Sequence, residues 1–246
     1  MEKINLNEYL AANEYPGRGI AVAKAPDGRQ MFIGYFIMGR SENSRNRIFE
    51  TTGDGIRTRA FDESKMVDPS LIIYHPVRRV GEVTVVTNGD QTDTIRDSLL
   101  AGKSYIDALR TRCYEPDGPN YTPRISGVVD QDGSFCLSIL KSADGDPACS
   151  HRYFYEYDAP LAGEGRFIHT YQENAEPLPS FEGEPRRVSV SAPDAETLAS
   201  QVWASLNEDN KVSLFVQYIH LATGERETVI LNKHGEQAHA ASKVPN

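Results

Sequence analysis

Apolar positions in this chain fall mainly into short, β-rich runs separated by turn residues, with few helical stripes. Gly19–Lys24 and Met31–Met38 flank Pro26-Asp27-Gly28, a spacing that predicts a β-hairpin. Leu71–Tyr74 predicts a short strand ended by His75-Pro76, and Glu82–Thr87 a strand turned by Asn88-Gly89-Asp90. Arg124–Val129 and Ser134–Lys141 surround Asp130-Gln131-Asp132-Gly133, a second hairpin signal. His151–Tyr157 and Gly165–Tyr171 extend the strand count, Val188-Ser189-Val190 starts the last third of the chain, and Val212–Leu221 with Arg226–Leu231 predicts a last hairpin. The aromatics of Tyr153–Tyr157 alternate with polar residues, as on a half-buried strand.

Three segments read as helices. Thr92–Ala101 stops at Gly102, and Ser104–Arg112 opens with an S-x-x-D cap. The third starts at Ser191-Ala192-Pro193-Asp194 and carries Leu198, Val202 and Leu206 on one stripe. Tyr114–Pro123 and Gln172–Pro185 are loops rich in Pro, Gly and polar residues, and Gly163-Glu164-Gly165-Arg166 with the Pro-rich loop to Glu184 is a candidate lid or subunit contact. Residues 1–14 read as a polar leader or frayed helix, and the tail after Lys233 as a mobile end. About ten strands and three helices that do not alternate predict an α+β domain rather than a doubly wound sheet. No linker or repeat divides residues 1–246, so one domain is expected, with 1–14 and 233–246 peripheral.

Charge alters this picture in one place. The chain carries 26 Lys and Arg against 35 Asp and Glu, a formal charge of -9, which disfavours a nucleic-acid partner. Between Gly17 and Ala60, however, eight basic residues face four acidic ones, +4, leaving -13 for the remainder. Seven of the eight are Arg, whose planar fork suits phosphate and carboxylate oxygens. Surface ion pairing is the competing explanation.

Other chemistry is missing from the sequence. No P-loop, H-E-x-x-H or G-x-S-x-G motif occurs. Of the six histidines only His234 and His239 approach zinc-ligand spacing, and they sit in the polar tail, so no metal is expected. The three cysteines, Cys113, Cys136 and Cys149, form no C-x-x-C pair, which fits a reducing compartment. No basic, apolar leader precedes the first strand, and the longest uncharged apolar run falls far short of the ~20 residues that span a bilayer. A cytoplasmic protein without a membrane partner is expected.

Four polar stretches remain that core packing does not explain: Tyr15-Pro16-Gly17-Arg18-Gly19, Gly39–Arg47, Asn88–Asp93 and Asn120–Ile125. Their order and content resemble the stand-alone, archaeal-type inosine monophosphate (IMP) cyclohydrolase family, over about Tyr15 to Leu231. Arg40-Ser41 followed by Asn46-Arg47, the Asn88-Gly89-Asp90-Gln91-Thr92-Asp93 stretch and Tyr121-Thr122-Pro123-Arg124-Ile125 are the most specific parts. The resemblance implies a four-layer αββα core like that of the N-terminal nucleophile hydrolases, without a processed nucleophile. It implies ring closure of 5-formamidoimidazole-4-carboxamide ribonucleotide (FAICAR) to IMP, and a homo-oligomer.

That reaction places the two reacting groups on one ring, leaving orientation, oxyanion stabilisation and proton transfer to the protein. It has no redox step, so no cofactor is expected. Arg40, Ser41, Asn46 and Arg47 are candidates for phosphate and base-edge contacts, Arg45 less so. Arg18 lies between two glycines that would let a ligand approach the backbone. Tyr74 is the candidate proton donor to the formyl oxygen, and Glu115 the carboxylate that accepts the carboxamide proton, with Asp117 as its rival. Asn88, Tyr121, Thr122 and Arg124 complete the binding set, although Arg124 could instead pair with Asp90 or Asp93. A non-catalytic purine-nucleotide-binding protein, or an amide hydrolase acting on a related ribonucleotide, would share these binding residues.

Overall fold

A computed structural model describes residues 2–143, 145–235 and 238–242. In chain order these form β1 (Ile4–Asn5), α1 (Leu6–Ala12), β2 (Arg18–Lys24), β3 (Gln30–Met38), α2 (Glu42–Arg45), β4 (Arg47–Thr52) and β5 (Gly55–Ala60). Next come β6 (Val77–Val80), β7 (Val83–Thr87), α3 (Gln91–Leu100), α4 (Tyr105–Arg110), β8 (Arg124–Val129) and β9 (Phe135–Ala143). The chain continues through β10 (Asp146–Tyr157), β11 (Glu164–His169), β12 (Arg186–Ser189), α5 (Ala195–Ser205), β13 (Lys211–His220), β14 (Arg226–Asn232) and β15 (Ala238–Ser242).

The strands make two sheets, ordered β1-β12-β11-β2-β3-β13-β14-β15 and β10-β9-β8-β7-β6-β5-β4. The protein is therefore of the α+β class. Strand alternation sends successive side chains to opposite faces, and the apolar residues divide accordingly. On β3, Ile33, Tyr35 and Ile37 face Phe49, Val86, Ile125 and Leu137 of the second sheet. Phe32, Phe36 and Met38 point the other way, into a cluster with Leu6 and Leu10 of α1 and Leu198 and Val202 of α5. On the far side of the second sheet, Val85, Val128 and Leu140 meet Ile95 of α3 and Leu109 of α4. Asn232 joins the sheets through polar contacts: its amide accepts from Phe49 N–H at 2.8 Å and donates to Phe49 C=O at 3.1 Å.

Several expectations change. The leader is a capped helix: Asn5 accepts from the N–H groups of Asn7 and Glu8, and Leu6 and Leu10 are buried. Leu71–Tyr74 is not a strand; Thr58 of β5 holds Tyr74 at two points, its N–H donating to Tyr74 C=O at 2.9 Å and its Oγ1 accepting from Tyr74 N–H at 2.8 Å. The β4–β5 hairpin and β6 have no counterpart in the sequence reading. Helix α5 starts three residues later than expected, with Asp194 rather than Ser191 as its cap. The tail returns as β15 beside β14, while 236–237 and 243–246 lie outside the described residues.

Candidate active site

The polar stretches converge at one end of the two sheets. Arg18 opposite Ile37 marks that end of the first sheet; Arg47 opposite Ala60 and Thr87 opposite Ser126 mark it on the second. Charge enters the inter-sheet space here. Arg47 is fully buried, and its Nε donates to Ser44 C=O at 2.8 Å. Both terminal guanidinium nitrogens lack a hydrogen-bond partner among the described residues, as does Nε of the buried Arg18. Burial lowers the Arg47 pKa, and Tyr74 and Tyr35 only partly offset it. Burial acts the same way on Arg18, but the nearby Glu115, Tyr171, Tyr15 and Tyr74 raise its pKa on balance.

Facing these cations are phenols and one carboxylate. Tyr35 and Tyr74 share a hydroxyl–hydroxyl hydrogen bond of 2.8 Å. Burial raises both pKa values, and for Tyr74 Arg47 and Arg18 pull in the opposite direction. Glu115 is 2% exposed, and its carboxylate takes no hydrogen bond from the described residues. Desolvation pushes its pKa up to about 7, with Arg18, Arg124 and Arg47 opposing and Asp117 adding to the shift. Burial normally requires a charge to be paired. Here two guanidinium groups and a carboxyl share one buried region without any ion pair joining them.

Asp117, the alternative acid, is committed elsewhere. Its carboxylate accepts from Thr122 N–H at 2.7 Å and from the Thr122 hydroxyl, which in turn contacts the Tyr171 hydroxyl. Thr122 therefore shapes the loop carrying Glu115, whose N–H donates to Thr122 C=O at 2.9 Å. Tyr121 holds a left-handed φ of 44° and packs edge-on against Tyr114.

Other sequence candidates lie outside this group or have internal partners. Asn46 donates to Asp62 C=O at 2.7 Å and accepts from Asp62 N–H at 2.8 Å. Asn88 donates to Pro123 C=O at 2.8 Å, and its oxygen accepts from Ile125 N–H and Gln91. Both amides serve the scaffold. Ser41 caps α2 in a reciprocal capping box with Ser44. Arg40 is 32% exposed, lies over the Tyr15 ring and grips 174–176 through Asn174, the Ala175 carbonyl and Glu176. The loop after Tyr171 is thus strapped beside the site. Arg124 pairs with Asp90 at 2.8 Å and donates to Gln91 at 2.7 Å, the structural alternative. Arg45 bonds Gly39 C=O and Asn210, while Arg57 and Arg59 pair with Glu50 at the surface.

The glycines beside Arg18 also have a different reason. A Cβ on Gly17 would strike Thr170 and Tyr171, and one on Gly19 would strike the Phe36 ring. Core packing rather than ligand approach demands them. The sequence reading missed Tyr35, Tyr15 and Tyr171; Tyr35 did carry a signal, as the phenol inside the otherwise apolar Met31–Met38 run. Tyr74 also borders a cavity of about 710 Å³, lined further by Arg57, Arg59, His75, Asp90 and Asp93.

Replacing Arg47 with Met should remove an unpaired buried charge while retaining an unbranched chain of similar length. Uncompensated burial of charge is costly. Arg47→Met is therefore expected to melt above the parent in calorimetry; a lower melting temperature would mean the guanidinium contributes net stability.

A family profile described as "IMP cyclohydrolase-like protein" matches residues 15–225. The chain belongs to the IMP cyclohydrolase-like family. Among similar proteins, an IMP cyclohydrolase of Methanococcus maripaludis is 30% identical over 178 residues, covering 68% of this chain and 86% of that protein. One from Methanosphaera stadtmanae is 27% identical over 186 residues, 74% of this chain and 81% of that protein. One from Methanococcus aeolicus is 30% identical over 125 residues, 49% of this chain and 61% of that protein's length. For the IMP cyclohydrolase-like family, the matched region includes Arg18, Tyr35, Arg47, Tyr74 and Glu115.

Proposed function

We propose that this chain is an IMP cyclohydrolase that closes FAICAR to IMP with the release of water. The observation that carries the reading is the buried group of Arg18, Arg47, Tyr74 and Glu115, in which Arg18 Nε and both terminal nitrogens of Arg47 have no hydrogen-bond partner among the described residues. Family membership and the names of the archaeal relatives support the choice of ligand.

In this reading the carboxamide nitrogen bonds to the formyl carbon. Glu115 accepts a proton from that nitrogen. Tyr74, hydrogen-bonded to Tyr35, donates to the formyl oxygen, which carries negative charge as the C–N bond forms. The Tyr74 phenol acts from a desolvated position, where a fixed donor is worth more than in water. The C–O bond then breaks, a proton leaves the former formamide nitrogen, and the oxygen departs as water. No electrons are gained or lost, so the balance requires no redox cofactor. Arg18, Arg40 and Arg47 are assigned to substrate anion contacts, with the Tyr74 cavity as the approach.

The proposal includes a four-layer αββα arrangement of the N-terminal nucleophile hydrolase type, supported by helices packed outside each of two facing sheets. It treats the chain as one catalytic domain acting as a cytoplasmic homo-oligomer. No helix of the described residues is long and apolar enough to cross a membrane.

Titration calorimetry with IMP tests the binding half of the reading. The parent should bind IMP, and Arg47→Met should bind about 10–150-fold more weakly, as expected for loss of a charge-assisted contact. Equal affinities would remove Arg47 from the site.

A further inference from the structure

The opposite end of the same two sheets holds a second polar enclosure. Gly55 pairs with Arg78, Arg79 with Thr84, and Arg226 with Ile219, all at the ends of their strands remote from Arg18 and Arg47. A cavity of about 220 Å³ opens there, lined by the 51–56 hairpin turn, Arg79, Thr84, Gln217, Arg226 and Thr228. Strand parity explains why these side chains meet. Arg226 and Thr228 share the face of Ile230, and Gln217 lies between Phe215 and Ile219, all on the inward face. Thr84 shares its face with Val86, and Arg79 with Val77.

Such positions normally carry apolar residues. Arg226 is instead 93% buried, with 7% of its surface exposed, and has no carboxylate partner among the described residues. Two of its nitrogens donate to the carbonyls of Gly224 and Glu82, and Nε has no partner. The Thr84 hydroxyl, on a residue 1% exposed, is likewise unpartnered. Two acids border this space, and both are neutralised: Asp54 pairs with Arg78 at 2.6 Å and Glu82 with Arg79 at 3.0 Å. Arg78 is held further by Asp93 at 2.7 Å, whereas Arg226 forms no ion pair among the described residues. Burial and then the like charge of Arg79 lower the Arg226 pKa, and Glu82 only partly offsets them.

We infer that this cavity is a second anion site, for a phosphate or small phosphomonoester bound by Arg226 and Thr84, remote from the catalytic end. Nothing in the ring closure uses these residues. A guanidinium and a hydroxyl converging on a small, partly enclosed space suit a tetrahedral oxyanion, and the volume limits the ligand to about sugar-phosphate size.

The test titrates inorganic phosphate into the full-length chain and follows its melting temperature. It uses the parent and Arg47→Met, the latter because binding at the catalytic centre is weakened there. Phosphate should raise the melting temperature of Arg47→Met. Adding Arg226→Met should weaken the apparent affinity about tenfold or more, and adding Thr84→Val should also weaken it. Thr84→Val keeps the shape and deletes an unpartnered hydroxyl, so it remains informative if Arg226→Met fails to fold. Ribose 5-phosphate binding more tightly than phosphate assigns the site to a phosphomonoester; equal binding assigns it to free phosphate. A shift undiminished by Thr84→Val and Arg226→Met, or a shift in the parent that vanishes in Arg47→Met alone, overturns the inference. So does the absence of any shift in the parent.

Discussion

Glu115→Gln is expected to lower kcat for cyclisation by about 10²-fold or more, the usual worth of a positioned general base. The substitution keeps the shape of the side chain and removes its ability to take a proton. The parent's rate should rise with pH through about 7, where the buried carboxyl loses its proton, and Glu115→Gln should lack that limb. Stability moves the other way. The folded-state pKa is raised, so the group's contribution is fully present below its unfolded value of 4.5 and is lost as pH rises through about 7. Glu115→Gln should therefore melt above the parent at pH 8, with the difference shrinking towards pH 5. Rate profiles and melting curves over that range check both signs. A parent-like rate would leave the carboxylate without its assigned role.

Tyr74→Phe should have a comparable or larger effect on rate. Loss of one donor to a developing oxyanion costs about 10²–10³-fold in kcat. Affinity for IMP should stay nearly constant, because the formyl oxygen is absent from the product. Stability should fall modestly: the Tyr35 hydroxyl, 2.8 Å from its partner, would be left buried and unpaired, at a cost of about 1–3 kcal/mol. Tyr35→Phe provides the control. It removes the same hydrogen bond but leaves the Tyr74 phenol in place, so its rate loss should be smaller. Equal losses would shift the proton-donating role from Tyr74 to the pair.

Much of the strand order was legible because inward apolar residues alternate with outward polar ones. The β2–β3 and β13–β14 hairpins follow directly from that alternation and their turn residues. The β4–β5 hairpin obeys the same rule, with Ile56, Thr58 and Ala60 buried between Arg57 and Arg59. Its outward charges mask the pattern in the sequence. Sequence also could not separate an arginine that ends inside, such as Arg47, from one that pairs at the surface, such as Arg57. Asn46 and Asn88 show the same limit: an amide that completes the backbone of a loop has the same sequence appearance as one that meets a ligand. Tyr74 illustrates a third. Its place depends on contacts with the backbone and hydroxyl of Thr58, sixteen residues away, that no local pattern encodes.

The most direct test of the catalytic account is a cyclisation assay with purified protein and FAICAR, followed by ultraviolet absorbance without added cofactor. The account predicts conversion to IMP by the parent, with far slower conversion by Tyr74→Phe at saturating substrate. A parent that binds IMP tightly but leaves FAICAR unconverted would contradict it and make the chain a nucleotide-binding protein.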